Sequence, residues 1–272
     1  MAKPKPPPFN KGAFYLPSQK EGTLTEKQKF ELTSFHLHIM AMAFMLCDHI
    51  WVALVAGNDW LTCIGRIAFP IFAFMTVEGY FHTKDLKKYV KRLFFFALVS
   101  EIPFNLLSGG AIVNPVHQNV LWTFLIGIGL IWLNEKFSDR NKIFRFLVGA
   151  GSIVLGFFLG ILTFCDYHYA GIITVLVFYF FRGRKLWNFI GQAFFLWYIN
   201  FEILGGLSYV LEFSGKEIFF PQQGFAVLAL IPIWLYRGKQ GFYNKTVKAV
   251  YYWFYPVHLF VLWAISFMMS LL

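Results

Sequence analysis

From Thr33 onward the chain alternates between long apolar runs and short polar breaks. Nine runs are long enough, or nearly so, to cross a bilayer: 33–57, 60–81, 89–107, 117–133, 143–164, 170–181, 186–204, 223–236 and 247–272. A spanning helix needs about 20 apolar residues. The sixth and eighth runs fall short, which predicts tilted, partly buried or re-entrant pieces. The expected fold is therefore all-α, a polytopic helical membrane bundle of about nine transmembrane helices. Residues 1–32 read as a separate arm: Lys3-Pro4-Lys5-Pro6-Pro7-Pro8 is basic and Pro-rich, so it is expected to be extended. Residues 25–31 are polar and suit a short interfacial helix. Nothing at the N-terminus has the layout of a cleaved signal peptide. Residues 33–272 form one expected transmembrane domain.

Composition supports the same class. Of 272 residues, 58% are hydrophobic, 21% aromatic and only 14% charged. A soluble domain carries about 25% charged residues. The net charge of +10 invites a nucleic-acid reading, but its placement argues otherwise. All but two of the 24 Lys and Arg fall in the N-terminal arm and in every second loop; the exceptions are Arg66 and Lys216. Positive residues collect on the cytoplasmic side of membrane proteins. The pattern predicts a cytoplasmic N-terminus, a multi-pass protein of the cytoplasmic membrane, and the lipid bilayer rather than nucleic acid as partner. Cys47, Cys63 and Cys165 lack metal or disulfide spacing and read as buried free thiols; no metal is expected.

Ionisable groups inside spans are costly and point to function. On the topology above, Asp48, His49, Arg66, Glu101 and Asn105 lie in the outer half of the membrane, with His117, Asn119, Asp166 and His168 beside it and His258 near mid-depth. This shared depth predicts one functional cavity. Asp48 and His49 are adjacent on a helix and point about 100° apart. Asp48 is thus expected to pair with Arg66, and a carboxylate from another helix, Glu101 or Asp166, to orient His49. Pro70, Pro103 and Pro256 deprive the carbonyls of Arg66, Val99 and Tyr252 of their helical donors, which suits a polar cavity. Glu78 reads as a cytoplasmic gate or an interface residue, His36 and His38 as interfacial, and His258 as a hydrogen-bonded packing residue.

Six ordered blocks carry a resemblance. They are Met45-Leu46-Cys47-Asp48-His49-Ile50, Gly65-Arg66 through Pro70 with Glu78-Gly79-Tyr80, Ser100-Glu101-Ile102-Pro103-Phe104-Asn105, His117-Gln118-Asn119, Asp166-Tyr167-His168 and Tyr255-Pro256-Val257-His258. Together they resemble the TraX family of membrane acetyltransferases, itself similar to a wider group of transmembrane acyltransferases. The resemblance implies transfer of an acetyl group from cytoplasmic acetyl-CoA, the donor cosubstrate, to an extracytoplasmic amine or hydroxyl: a protein N-terminus, a glycan or a small molecule. It implies His49 as catalytic residue. Acyl transfer needs a base and oxyanion donors. Asp48, Glu101 and Asp166 are the expected catalytic partners. Arg66, Asn105, His117, Asn119, His168 and His258 are expected around substrate or oxyanion. Lys87, Lys88, Arg92, Arg145, Arg182 and Arg184 are the basic residues expected to meet the cofactor's phosphates. The rival reading is a proton-coupled transporter, which also uses intramembrane carboxylates and broken helices.

Overall fold

The structure is a computed structural model that describes residues 31–57, 59–213 and 216–272. Most of the expected arm, including the interfacial helix at 25–31, lies outside these residues apart from Glu31 and Leu32. The described chain is nearly all helical: α1 (Ser34–Ala53), α2 (Trp60–Gly65), α3 (Ala68–His82), α4 (Leu86–Gly109), α5 (Val120–Lys136), α6 (Lys142–Leu162), α7 (His168–Phe180), α8 (Leu186–Tyr198), α9 (Leu230–Leu235) and α10 (Lys245–Ser270). A π-helical turn, Ile199–Leu204, extends α8, and a 3₁₀ segment, Gln222–Ala229, leads into α9. Among the described residues, four stretches are long and apolar enough to cross a membrane: α1, the α2–α3 pair, α6 and α10. The segments at 168–180 and 222–235 are apolar but shorter.

Local chemistry sets the helix ends. Asp85, Asn119, Asn141 and Asn244 each cap a helix N-terminus, their side-chain oxygens accepting from backbone N–H groups of the first turn. Gly110 ends α4 in the left-handed conformation, φ 68°. The second apolar run is not one helix. It breaks at Arg66 and Ile67, because Pro70 cannot donate to the Arg66 carbonyl. By contrast α4 and α10 continue through Pro103 and Pro256.

Five helices close a ring in which each touches the next: α1, α3, α5, α4 and α10. A second layer, α6 to α9, packs on the α3–α5 side. The α6 contact uses small residues. Gly149, Ser152, Gly156 and Gly160 are buried along one stripe, while Ile143, Phe146 and Leu162 are exposed on the opposite face. Small residues let helix backbones approach closely where lipid offers no hydrophobic drive. Exposed Phe and Trp on α4, α6, α8 and α10 complete a lipid-like surface.

Successive segments run in opposite directions, so the bundle has two ends. One holds Glu78, Lys88, Arg182 and Tyr236; the other holds Asp48, Arg66, His117 and Asp166. At the second end a hairpin replaces an expected loop. Strands β1 (Ser208–Phe213) and β2 (Lys216–Pro221) pair antiparallel, Ser208 opposite Pro221. The hairpin sits over α2, where the Cys63 thiol meets the Tyr209 hydroxyl at 3.2 Å.

Candidate functional site

At the second end, Asp48 from α1 accepts from Arg66 Nη2 and, at 2.7 Å, from Thr62 Oγ1. Arg66 also donates to Thr62 Oγ1 at 2.8 Å. The helices come this close because residue 65 is glycine: a Cβ there would strike the Asp48 side chain. The expected Asp48–Arg66 pair is thus present, and the break between α2 and α3 places it.

His49 is held differently from the expectation. Its Nδ1 lies 2.6 Å from Nε2 of His258, and His258 Nδ1 lies 2.6 Å from the Phe254 carbonyl. A carbonyl only accepts, so His258 Nδ1 carries the proton. With both rings neutral, His258 Nε2 then accepts from His49 Nδ1–H. The His49 Nε2 lone pair takes no part in this contact. The orienting group is therefore a histidine on α10, not Glu101 or Asp166, because α10 packs directly against α1.

Both carboxylates act elsewhere. Glu101 Oε1 accepts from the Asn119 backbone N–H at 3.1 Å, from Asn119 Nδ2 at 2.5 Å and from Trp122 Nε1 at 2.6 Å. It ties α4 to the start of α5. Glu101 Oε2 and Asn105 Oδ1 are buried with no partner among the described residues. The Asn119 and Asn105 amides also donate to the carbonyls of Ala97 and Ile112. Both amide N–H groups of Asn119 are thus engaged, on the Ala97 carbonyl and on Glu101.

Asp166 stands at a strained turn. Phe164, Tyr167 and His168 all have positive φ, at 50°, 60° and 46°. Each non-glycine residue there costs about 1 kcal/mol or more. The strain persists because the turn is over-determined. Gln118 N–H bonds the Phe164 carbonyl and Asp166 N–H bonds the Gln118 carbonyl. Thr123 Oγ1 donates to the Asp166 carbonyl, and Tyr167 stacks on Phe69 at 4.1 Å. This brings His117 Nε2 to 3.8 Å from Asp166 Oδ1, and the carboxylate raises the His117 pKa. Asp166 also acts electrostatically on Arg66. His168 is exposed at the start of α7 and is not brought to this group.

A cavity of about 380 Å³ lies inside the five-helix ring. Its rim at the first end carries His82, Thr83, Gln240, Tyr243 and Lys248. Its wall is aromatic, with Tyr89, Phe96 and Tyr252 among the lining, and it ends on Met45, Phe124, Phe254 and Tyr255. Those last side chains adjoin the histidine pair: the Phe254 ring is 4.6 Å from His258, and Tyr255 is 6.4 Å from His49. His38, read as interfacial, lines this cavity and stacks on Tyr251 at 4.0 Å.

None of the six basic residues expected at the cofactor lines it. Arg182 donates to Glu78 Oε1 at 2.7 Å and lies over the Phe81 ring; Arg184 donates to the carbonyls of Trp234 and Tyr236. Arg92 donates to the Tyr252 hydroxyl behind the wall. Lys88 pairs with Asp85, while Lys87 and Arg145 are exposed. Lys248 is the lining cation that sequence reasoning passed over. Its clue was its position, at the very start of the last apolar run. No cluster that could hold a metal is present among the described residues.

A family model described as TraX protein matches residues 34–266. A curated relative from Dichelobacter nodosus, named a probable fimbrial assembly protein FimC of serogroup H1, is 24% identical in a 262-position alignment that covers 86% of this chain and 96% of the relative. No solved structure matches.

Proposed function

The chain belongs to the TraX family, and on that premise we propose that it is a multi-pass acetyltransferase of the cytoplasmic membrane. It takes an acetyl group from cytoplasmic acetyl-CoA and delivers it to an amine or hydroxyl on the far side. The observation that carries this reading is the relation of cavity to histidines. A deep aromatic cavity starts at the end rich in Lys and Arg and stops one ring short of His49 and His258. The loops at that end are the basic ones, so the positive-inside rule makes it cytoplasmic. On this reading the chain crosses nine times with its N-terminus inside.

The donor's arm fills the cavity, bringing its thioester to the blind end. His49 Nε2, oriented through His258, takes the acceptor's proton. The acceptor nitrogen or oxygen bonds to the carbonyl carbon, the C–S bond breaks, and the proton passes on to the leaving thiolate. Arg66, neutralised by Asp48, fixes the end of α2 beside the reacting groups. The relative named for fimbrial assembly fits an acceptor that is a protein subunit handled outside the membrane.

The test is transfer of label from acetyl-CoA in membranes carrying the protein. The wild type is expected to label an acceptor, and His49→Ala to abolish it. Undiminished transfer by His49→Ala would remove His49 as the base.

A further inference from the structure

One helix, α10, runs the whole length of the cavity. Lys248 stands at the rim, Tyr251 and Tyr252 in the wall, Tyr255 at the blind end, and His258 one turn beyond. We infer that Lys248 recognises a phosphate on the acyl donor, so that α10 measures the span between that anion and the thioester. The inference rests on the acyl-transfer reading above and names the residue that selects its donor.

Four observations support it. Lys248 is uncommitted: its ammonium has no carboxylate partner among the described residues. Glu78, the lining carboxylate, has its charge held by Arg182, so it does not cancel Lys248. The rim also includes the first turn of α10, whose positive dipole end favours an anion. Between rim and blind end Tyr251 lines the cavity, and its hydroxyl is buried without a partner among the described residues. A buried hydroxyl left unpaired is costly, and an amide on a bound arm would satisfy it.

Length adds a fifth. Lys248 and His258 are ten residues apart on one helix, a rise of about 15 Å at 1.5 Å per residue. In a pantetheine arm about thirteen bonds separate phosphate from sulfur. That equals roughly four residues of extended chain, about 15 Å. The arm also carries two amides, and so matches both the span and the orphan hydroxyl. A small acyl phosphate cannot reach both ends.

The experiment measures binding to the purified full-length protein, using pantetheine, 4′-phosphopantetheine and coenzyme A as probes. The wild type is expected to bind 4′-phosphopantetheine at least about tenfold more tightly than pantetheine. Lys248→Gln should erase that preference while leaving pantetheine binding unchanged; Lys248→Arg should keep it. A phosphorylated analogue lacking the β-alanine unit should bind no better than pantetheine. A preference that survives in Lys248→Gln, or a shortened analogue that binds as well as the full arm, overturns the assignment while leaving acyl transfer intact. If the wild type binds none of the three, the acyl-donor reading falls and this inference with it. An unchanged unfolding midpoint for Lys248→Gln shows that the variant is folded.

Discussion

His258 presents a lone pair to the Nδ1 of His49 across 2.6 Å, from a residue 209 positions further along the chain. The pair sets the tautomer of His49 and aims its second nitrogen. Replacing His258 with Ala is expected to lower transfer about 10²-fold, near the low end for a disturbed general base. His49→Ala should lose more. In the double variant the losses should not add, because both residues serve one function. Single and double rate measurements check this.

Asp48 and Arg66 form a mostly buried ion pair, each side chain under one-fifth exposed. Removing one partner leaves a charge stranded. Arg66→Met is expected to cost about 3 kcal/mol. Asp48→Asn keeps an acceptor for Thr62 and should cost less. Thermal unfolding in one detergent compares them.

The His117–Asp166 contact gives a pH signature. The carboxylate raises the folded-state pKa of His117 above its ordinary 6.5. Its stabilisation is therefore complete below pH 6.5 and fades as pH rises through the raised value. Asp166→Asn should lower the unfolding midpoint most at acidic pH, and the gap should narrow with rising pH. A constant gap would show that the contact contributes nothing through titration.

Gly160 lets α6 approach the backbone of His168 and Tyr169 in the strained turn. Gly160→Ala places a methyl group against main chain that cannot move aside. A cost of about 1–3 kcal/mol is expected. Gly151 is the control: a Cβ there meets nothing within 4 Å, so Gly151→Ala should be neutral or stabilising.

Much of this architecture was legible in the sequence. The apolar runs marked the helical segments because lipid demands long, unbroken apolarity. Asp48 and Arg66 were legible as partners because an isolated charge in that setting needs one. The His258 contact was not, because it depends on how α10 rotates against α1, and no local pattern encodes that rotation. The hairpin was hidden for another reason. Residues 208–213 are largely apolar between short polar breaks, without the strict alternation that marks a half-buried strand. Pro70, a lost hydrogen bond by sequence, stands in the first turn of α3, just after the break at Arg66 and Ile67. Lys248 was counted among loop charges, since its place on a cavity rim needs the third dimension.

The cavity inside the helix ring ends on Phe124, Phe254 and Tyr255. On the acyl-transfer reading, a carrier that enters by the polar rim must withdraw by the same door. Cargo and carrier part inside the protein: the acetyl group goes forward and the acceptor's proton comes back to the thiolate, so no net charge crosses. The electrical insulation of the bilayer is then never interrupted. Turnover should be indifferent to membrane voltage, in contrast to any machine that drives its work with protons.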